Sequence, residues 1–296
     1  MQTTDRLNAP DAALRDLARR ALAEDVGRGD VTTETTIPAD AFAAGSFVAK
    51  GASRTCVSGL AAARAVFEAA SEELRFTPLA AEGETVEPGA EIARVEGPAR
   101  PMLAAERVAL NLLMRLCGIA TFTAMYAAEV EAAGTGARIA DTRKTTPGLR
   151  ALEKAAVRAG GGVNHRSGLD DGVLIKDNHL AVAGGVAAAV RSAREGAPHL
   201  LKVEVEVEDE EGLRAAISAG ADAVLLDNMS PSEVADAVAL VRREAPAMVV
   251  EVSGGVDLST ARAYAEAGPD LISAGALTHS APAADISLDV EVTTGD

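Results

Sequence analysis

The chain has 296 residues, 48% of them hydrophobic and 24% charged, which excludes wholesale disorder and suffices for two domains of ordinary size. Aromatic residues make up 2% and Trp is absent, so the core must be built from Ala, Val, Leu and Ile, and stacking on nucleic-acid bases is disfavoured. A formal net charge of −16 repels phosphate backbones and anionic membranes, and makes any local cluster of cations informative.

From the N-terminus, Asp11 to Ala23 places Leu14, Leu17, Ala18 and Leu22 on one face and is expected to be a helix. The polar stretch EDVGRGDVTTETTIP, from Glu24, reads as a loop. Between Ala41 and Val95, β-like runs such as GSFVAK and EIARVEG are punctuated by Pro and Gly and interrupted by a helix over Ala61–Ala70, the pattern of a small α+β domain. A long helix follows from near Met102 to Ala132, with a break expected at Gly118. Cys56 and Cys117 are the only cysteines, too few for a disulfide framework or a zinc knuckle, which fits a reducing, cytoplasmic setting. The N-terminus has no apolar core of a signal peptide, and no stretch is expected to reach the ~18 apolar residues of a membrane span.

The second half has another rhythm. Six β-like runs recur, at Arg138–Thr142, Gly172–Asp177, Lys202–Val207, Ala223–Asp227, Met248–Val252 and Asp270–Ala274. Ala-rich helical patterns lie between most of them: Val182–Glu195, Glu210–Ala219, Pro231–Glu244 and Ser259–Ala267. Strands alternating with helices at this spacing indicate parallel βαβ units and favour an α/β barrel over a doubly wound sheet. GGGVN at Gly160–Asn164 lacks the spacing of a dinucleotide fingerprint.

Chemistry gathers at the strand ends, where a parallel barrel keeps its active site. The strands end in turn in Asp141-Thr142-Arg143-Lys144, Lys176-Asp177-Asn178-His179, Asp227-Asn228, Glu251 with Ser253-Gly254-Gly255, and Ser273-Ala274-Gly275. In KVEVEV, Lys202, Glu204 and Glu206 alternate with valines and share the interior face, with Lys202 and Glu204 expected to pair below and Glu206 to reach the mouth. Arg143, Lys144, His165, Arg166 and Lys176 form a cationic set in an acidic chain, suited to a ligand with several negative charges. Glu206 and Asp227 near those anions suggest a bridging Mg²⁺, and the glycines of the last two strands a phosphate cradle. His179 could serve the site or start a helix, and His199 reads as a surface residue. No zinc-binding histidine spacing and no framed nucleophilic serine occur. A barrel lyase forming a Schiff base on Lys176 or Lys202 is chemically plausible but leaves the arginines without a role. A non-catalytic anion-binding protein is the other alternative.

These runs together resemble the quinolinate phosphoribosyltransferase family. The match is carried by DTRKTTPGLRALEKAAVRAGGGVNHRSGLDDGVLIKDNHL from Asp141, VEVEV from Val203, LLDN from Leu225, SGG from Ser253 and SAGALTHS from Ser273, with ERVALNLLMRLCGIAT and AEDVGRGDVTT upstream. It covers nearly the whole chain in order, and departs at Cys117, where the family often has Ser. The resemblance implies an N-terminal α/β sandwich domain over residues 1–111, rejoined by 280–296, and an incomplete, seven-stranded α/β barrel over 112–279, the seventh strand expected near Gly162–Leu169. It implies transfer of a phosphoribosyl group from phosphoribosyl pyrophosphate (PRPP) to quinolinate, giving nicotinate mononucleotide, CO₂ and pyrophosphate for NAD synthesis. A molybdenum-transport-associated relative or a nicotinate-using transferase of the same fold is the nearest alternative.

Carried over by position, Arg107, Arg143, His165, Arg166 and Lys176 resemble the quinolinate-binding set. Lys144, Ser253, Gly254, Gly255, Gly275 and His279 resemble the PRPP set, and Glu206 and Asp227 the Mg²⁺ ligands. Lys144, Lys176, Glu206 and Asp227 are the implied catalytic groups, with no organic cofactor. The resemblance further implies a homodimer, or a hexamer built from dimers, in which Arg107 reaches into the neighbouring subunit's site. No nucleic-acid or membrane partner is implied.

Overall fold

The structure, a computed structural model, describes residues 11–292. Both ends of the expected N-terminal domain, residues 1–10 and 293–296, lie outside the described residues. The chain forms two compact units: the first takes in residues up to Phe122, Pro147–Gly161 and the chain from Ala281; the second takes in Thr123–Thr146 and Gly162–Ser280.

The first unit opens with α1 (Asp11–Val26), whose Leu14, Ala18 and Leu22 are buried. The stretch expected as a loop instead contains α2 (Val31–Thr36). Its four threonines are poor helix formers, but the Asp30 carboxylate caps it, accepting the Thr33 N–H at 3.0 Å and the Thr33 hydroxyl at 2.5 Å. There follow β1 (Phe42–Ala49), β2 (Thr55–Cys56), α3 (Leu60–Ala70), β3 (Arg75–Pro78), β4 (Thr85–Val86), β5 (Glu91–Pro98) and α4 (Ala99–Ala132), and later α5 (Arg150–Ala159) and β12 (Ile286–Val292). The four-stranded sheet has the order β12-β1-β5-β3 with antiparallel pairing, and β2 pairs with β4. The scarce aromatics are concentrated here: the rings of Phe47, Phe67 and Phe76 meet at 5.8–5.9 Å.

Helix α4 does not break at Gly118. The glycine serves a different need: a Cβ there would lie 2.1 Å from the Pro282 carbonyl oxygen and 3.0 Å from Ala283 Cα. The returning segment packs on the bare helix backbone, and Ala284 N–H donates to the Met114 carbonyl at 2.8 Å. Buried Glu153 of α5 fastens the same place by pairing with Arg115, whose other guanidinium nitrogen donates to the Ala281 carbonyl at 3.2 Å. Gly118→Ala is therefore expected to cost about 3 kcal/mol or more, because backbone must move to admit the methyl. Thermal or urea unfolding measures it, and an unchanged midpoint would refute the close approach. By length and composition α4 is also long and apolar enough to cross a membrane, contrary to the sequence expectation, yet 56% of its most apolar window is buried within the fold.

The second unit holds β6 (Arg138–Ala140), β7 (Val173–Ile175), α6 (Asp177–Ala183), α7 (Val186–Gly196), β8 (Val203–Val207), α8 (Glu210–Ala219), β9 (Ala223–Asp227), α9 (Pro231–Glu244), β10 (Val249–Ser253), α10 (Ala261–Glu266), β11 (Leu271–Ser273) and α11 (Ala276–His279). All six expected strands form, and they pair in parallel in the order β6-β11-β10-β9-β8-β7. The first strand lies beside the last, as in a barrel, and the ring stays open between β6 and β7. The expected seventh strand reduces to one residue: Val163 bridges Ala140 in parallel. It stops there because the next polar groups, Asn164 Nδ2 and the His165 N–H, turn to the Asp141 carboxylate instead of to a strand. The single helix expected over Val182–Glu195 is split into α6 and α7 by Gly184 and Gly185, both at positive φ.

Two matching clamps secure the strand starts. Asp222, before β9, accepts the Val203 N–H at 2.8 Å and pairs with Arg194 of α7. Asp270, before β11, accepts the Val250 N–H at 2.7 Å and pairs with Arg242 of α9. Lys202 belongs to this end: it is exposed and makes no pair with Glu204, correcting the expected ladder.

Candidate active site

At the opposite, C-terminal ends of these strands the second unit collects most of the expected residues. On β8, Glu204 and Glu206 are both buried and use different partners. Glu206, nearer the strand end, pairs with Lys176 Nζ at 2.5 Å, while Glu204 lies deeper and accepts from His165 Nε2 at 3.1 Å. Period-two alternation puts both inside, and one residue pair of strand rise separates mouth from floor. Asp227 ends β9. Burial, and then the Glu206 carboxylate, raise its carboxyl above the ordinary value, while Lys176 and Lys144 pull the other way. Two carboxylates and two ammonium groups thus meet at the mouth.

The loop before β7 carries Arg166. Its Nη1 donates to the Gly172 carbonyl at 2.9 Å, and its Nε is shielded without any acceptor. The turn beyond it is tied by Asp171, which accepts the Ser167 and Gly168 N–H groups. Burial, and then the Arg143 guanidinium, lower Arg166 from its ordinary value, so the two arginines face each other closely enough to repel. Arg143 and Lys144 are exposed, and neither they nor Arg166 has a carboxylate in ion-pair contact among the described residues. Cations side by side without an ion-pair partner, in a chain of net charge −16, have the chemistry to receive an anion.

The remaining strand ends supply close approaches. Gly254 and Gly255 follow one another at positive φ after β10. A Cβ on Gly254 would lie 2.2 Å from Asn228 Oδ1, and Asn228 N–H donates to the Ser253 carbonyl at 3.0 Å, so this loop and the end of β9 are zipped together. Asn228 itself is the one non-glycine at positive φ among the described residues, and its amide donates to Asp227 at 2.6 Å. A Cβ on Gly275 would meet Lys144 Cδ at 2.9 Å and His279 Nε2 at 3.1 Å, so this glycine leaves room for both side chains. The Thr278 hydroxyl fixes the loop below by donating to the Lys144 carbonyl at 2.8 Å.

The structure therefore brings together Arg143, Lys144, His165, Arg166, Lys176, Glu206, Asp227, Ser253, Gly254, Gly275 and His279 at one end of one unit, with Gly255 in the same loop. Arg107 belongs to the first unit and is exposed on α4. His179 caps α6, its Nδ1 accepting the Lys176 N–H at 3.0 Å, and His199 is exposed away from the strand ends. Sequence analysis gave no role to Asp141, Asn164 or Glu251. The signal for Glu251 lay in its alternation within VVEVS, the same pattern as VEVEV. Both thiols are free and buried, and burial pushes Cys56 up to about 11 and Cys117 up to about 12, which leaves neither as a ready nucleophile.

Comparison with known proteins matches both halves of the chain to one family. Residues 30–117 match the family described as Quinolinate phosphoribosyl transferase, N-terminal domain, and residues 119–289 match its C-terminal domain. The chain belongs to the quinolinate phosphoribosyl transferase family. The resemblance noted in the sequence thus holds over both halves. A relative from Bacillus subtilis named probable nicotinate-nucleotide pyrophosphorylase [carboxylating] is 43% identical over 280 residues, 94% of this chain and 93% of its own. The nicotinate-nucleotide pyrophosphorylase [carboxylating] of Mycobacterium leprae is 43% identical over 283 residues, 94% of this chain and 97% of its own. The solved structure of the nicotinate-nucleotide pyrophosphorylase from Francisella tularensis superposes with a TM-score of 0.90 at 36% identity, covering 98% of this chain and 100% of that one. The α/β architecture of this family member, an antiparallel sheet domain with an open parallel barrel, is the one expected.

Proposed function

We propose that this chain is a quinolinate phosphoribosyltransferase, which joins quinolinate to PRPP and releases nicotinate mononucleotide, CO₂ and pyrophosphate in NAD synthesis. The observation that carries the reading is the facing pair Arg143 and Arg166, neither of which has a carboxylate in ion-pair contact among the described residues, the Asp171 and Glu204 charges acting on Arg166 only from further off. Two guanidinium forks at one mouth suit the adjacent carboxylates of a pyridine dicarboxylate. His165 joins this set by accepting the Arg166 N–H on its ring at 2.6 Å.

The reaction asks for separation of charge at the ribose. The ring nitrogen of quinolinate attacks C1′ as the bond to pyrophosphate breaks. Lys144 and Lys176 would balance the departing negative charge, and Glu206 and Asp227 would offset positive character at the sugar. The new pyridinium then holds the electrons left when the adjacent carboxylate departs as CO₂, and a proton takes its place. The arginines supply orientation by holding the dicarboxylate in line with C1′. Ser253, Gly254, Gly255, Gly275 and His279 would line the phosphate side, where small residues let backbone approach the ligand.

The donor set at the mouth fits Mg²⁺. Glu206 and Asp227 are hard oxygen donors, and the Glu206 charge adds to burial in raising the Asp227 carboxyl, so the two are near neighbours. There the ion would neutralise the pyrophosphate as it forms. The functional unit proposed is a homodimer in which Arg107 of one subunit completes the other's site, working in the cytoplasm.

The test is turnover with PRPP and Mg²⁺, comparing quinolinate with nicotinate and following nicotinate mononucleotide and CO₂. Product from quinolinate alone, abolished by EDTA, is the expected result. Turnover of nicotinate, or of neither acid, would overturn the carboxylating assignment.

A further inference from the structure

Glu251 has no part in the reaction just described, yet it occupies the floor of the same site. It is 1% exposed on the interior of β10, and its Oε1 has no hydrogen-bond partner. That oxygen lies 3.6 Å from His165 Nε2, with Glu204 Oε2 at 3.1 Å from the same nitrogen. The three atoms are within 4.8 Å of one another, a spacing a metal ion could accept. The other ring nitrogen argues against that. Nδ1 accepts the Arg166 N–H, so it presents a lone pair and no proton. A neutral imidazole with a bare Nδ1 carries its hydrogen on Nε2 and has no lone pair there for a metal. Nε2–H is then the donor to Glu204.

The groups facing Glu251 are Glu204 from β8, His165 from the loop before β7, Lys176 at the end of β7 and the Ser273 hydroxyl of β11. Burial, followed by the Glu204 carboxylate, pushes Glu251 up to about 7. A second ionised carboxylate here would place like charges together in a low dielectric and draw another proton onto His165. An imidazolium would point Nδ1–H at the Arg166 N–H, and the bond between them would have to break.

We infer that Glu251 is a positioning residue for the carboxylate clamp: as a neutral carboxyl beneath His165 it keeps the ring in its Nε2–H form, and the ring in turn fixes the backbone of Arg166. It touches no substrate. The kinetic consequence rests on the quinolinate reading above; the tautomer does not.

Glu251→Gln preserves shape and neutrality, and Glu251→Ala removes both. In the ligand-free protein, ¹⁵N-histidine NMR at pH 6.5 is expected to show one ring protonated at Nε2 with a bare Nδ1. The Gln variant is expected to keep that ring state and the Ala variant to lose it. A ring protonated at Nδ1 in the parent, or the same ring state in the Ala variant as in the parent, would overturn the inference whatever the substrate. In kinetics, Glu251→Gln is expected to keep the parent's KM for quinolinate. Glu251→Ala should raise that KM about tenfold with the KM for PRPP unchanged, roughly the loss of one hydrogen-bonded support. Equal rises in both KM values, or no rise with the ring tautomer intact, would refute the positioning role.

Discussion

Replacing Arg166 with Ala is expected to raise the KM for quinolinate about 100-fold while leaving the KM for PRPP within about twofold. A charge-assisted fork on a carboxylate contributes roughly 3 kcal/mol, about two decades in affinity. The structure places that fork beside Arg143, with Nη1 braced on the Gly172 carbonyl, so the side chain is oriented before any ligand arrives. Arg166→Lys should recover little of the loss, since a point charge cannot span both carboxylate oxygens or reach the same brace. Removing Arg166 also relieves its repulsion with Arg143, so the variant should fold at least as stably as the parent. Steady-state kinetics with each substrate varied in turn, beside a thermal melt, separate these effects. Equal losses for quinolinate and PRPP would place Arg166 outside the dicarboxylate clamp.

The sequence made the barrel strands legible because helices of 3.6-residue periodicity separate most of them and most end in charged residues. It also placed Glu206 nearer the mouth than Glu204, since period two and strand direction alone order them. What escaped it was decided by contacts between distant segments. Gly118 reads as a helix breaker until Pro282 is seen against it, and Lys202 reads as an interior partner of Glu204 until the strand is found to begin after it. The threonines after Asp30 look like loop because propensity is local, whereas one capping carboxylate settles the helix. The seventh strand failed for a related reason: Asp141 takes the hydrogen bonds that would have extended the ladder beyond Val163. Glu251 was visible as an alternating residue, but its meaning depends on His165, 86 positions earlier, and on which ring nitrogen faces the Arg166 amide.

Arg107 offers the second large effect. It is exposed on α4, carries no ion pair among the described residues, and lies on the unit that does not contain Arg143, Arg166 or Lys176. If a partner subunit delivers it to the dicarboxylate, Arg107→Ala should lower kcat/KM for quinolinate by about two decades, as for any charged fork on a carboxylate. Lys144→Ala should be comparably impaired through the pyrophosphate side of the site. The two defects then lie on different chains of a shared site. In a mixed dimer, one site unites the intact Lys144 of the first subunit with the intact Arg107 of the second, and the other site carries both lesions. Co-expressing the variants in equal amounts makes about half of the dimers mixed, each with one good site, so roughly a quarter of the parent activity should return. Purifying the mixed dimer through two different tags should raise that to about half. Recovery at these levels requires a site built from two chains, because variants acting within one chain cannot complement by assembly. Activity that stays at the sum of the two single variants would put Arg107 to work within its own subunit, or nowhere near the substrate.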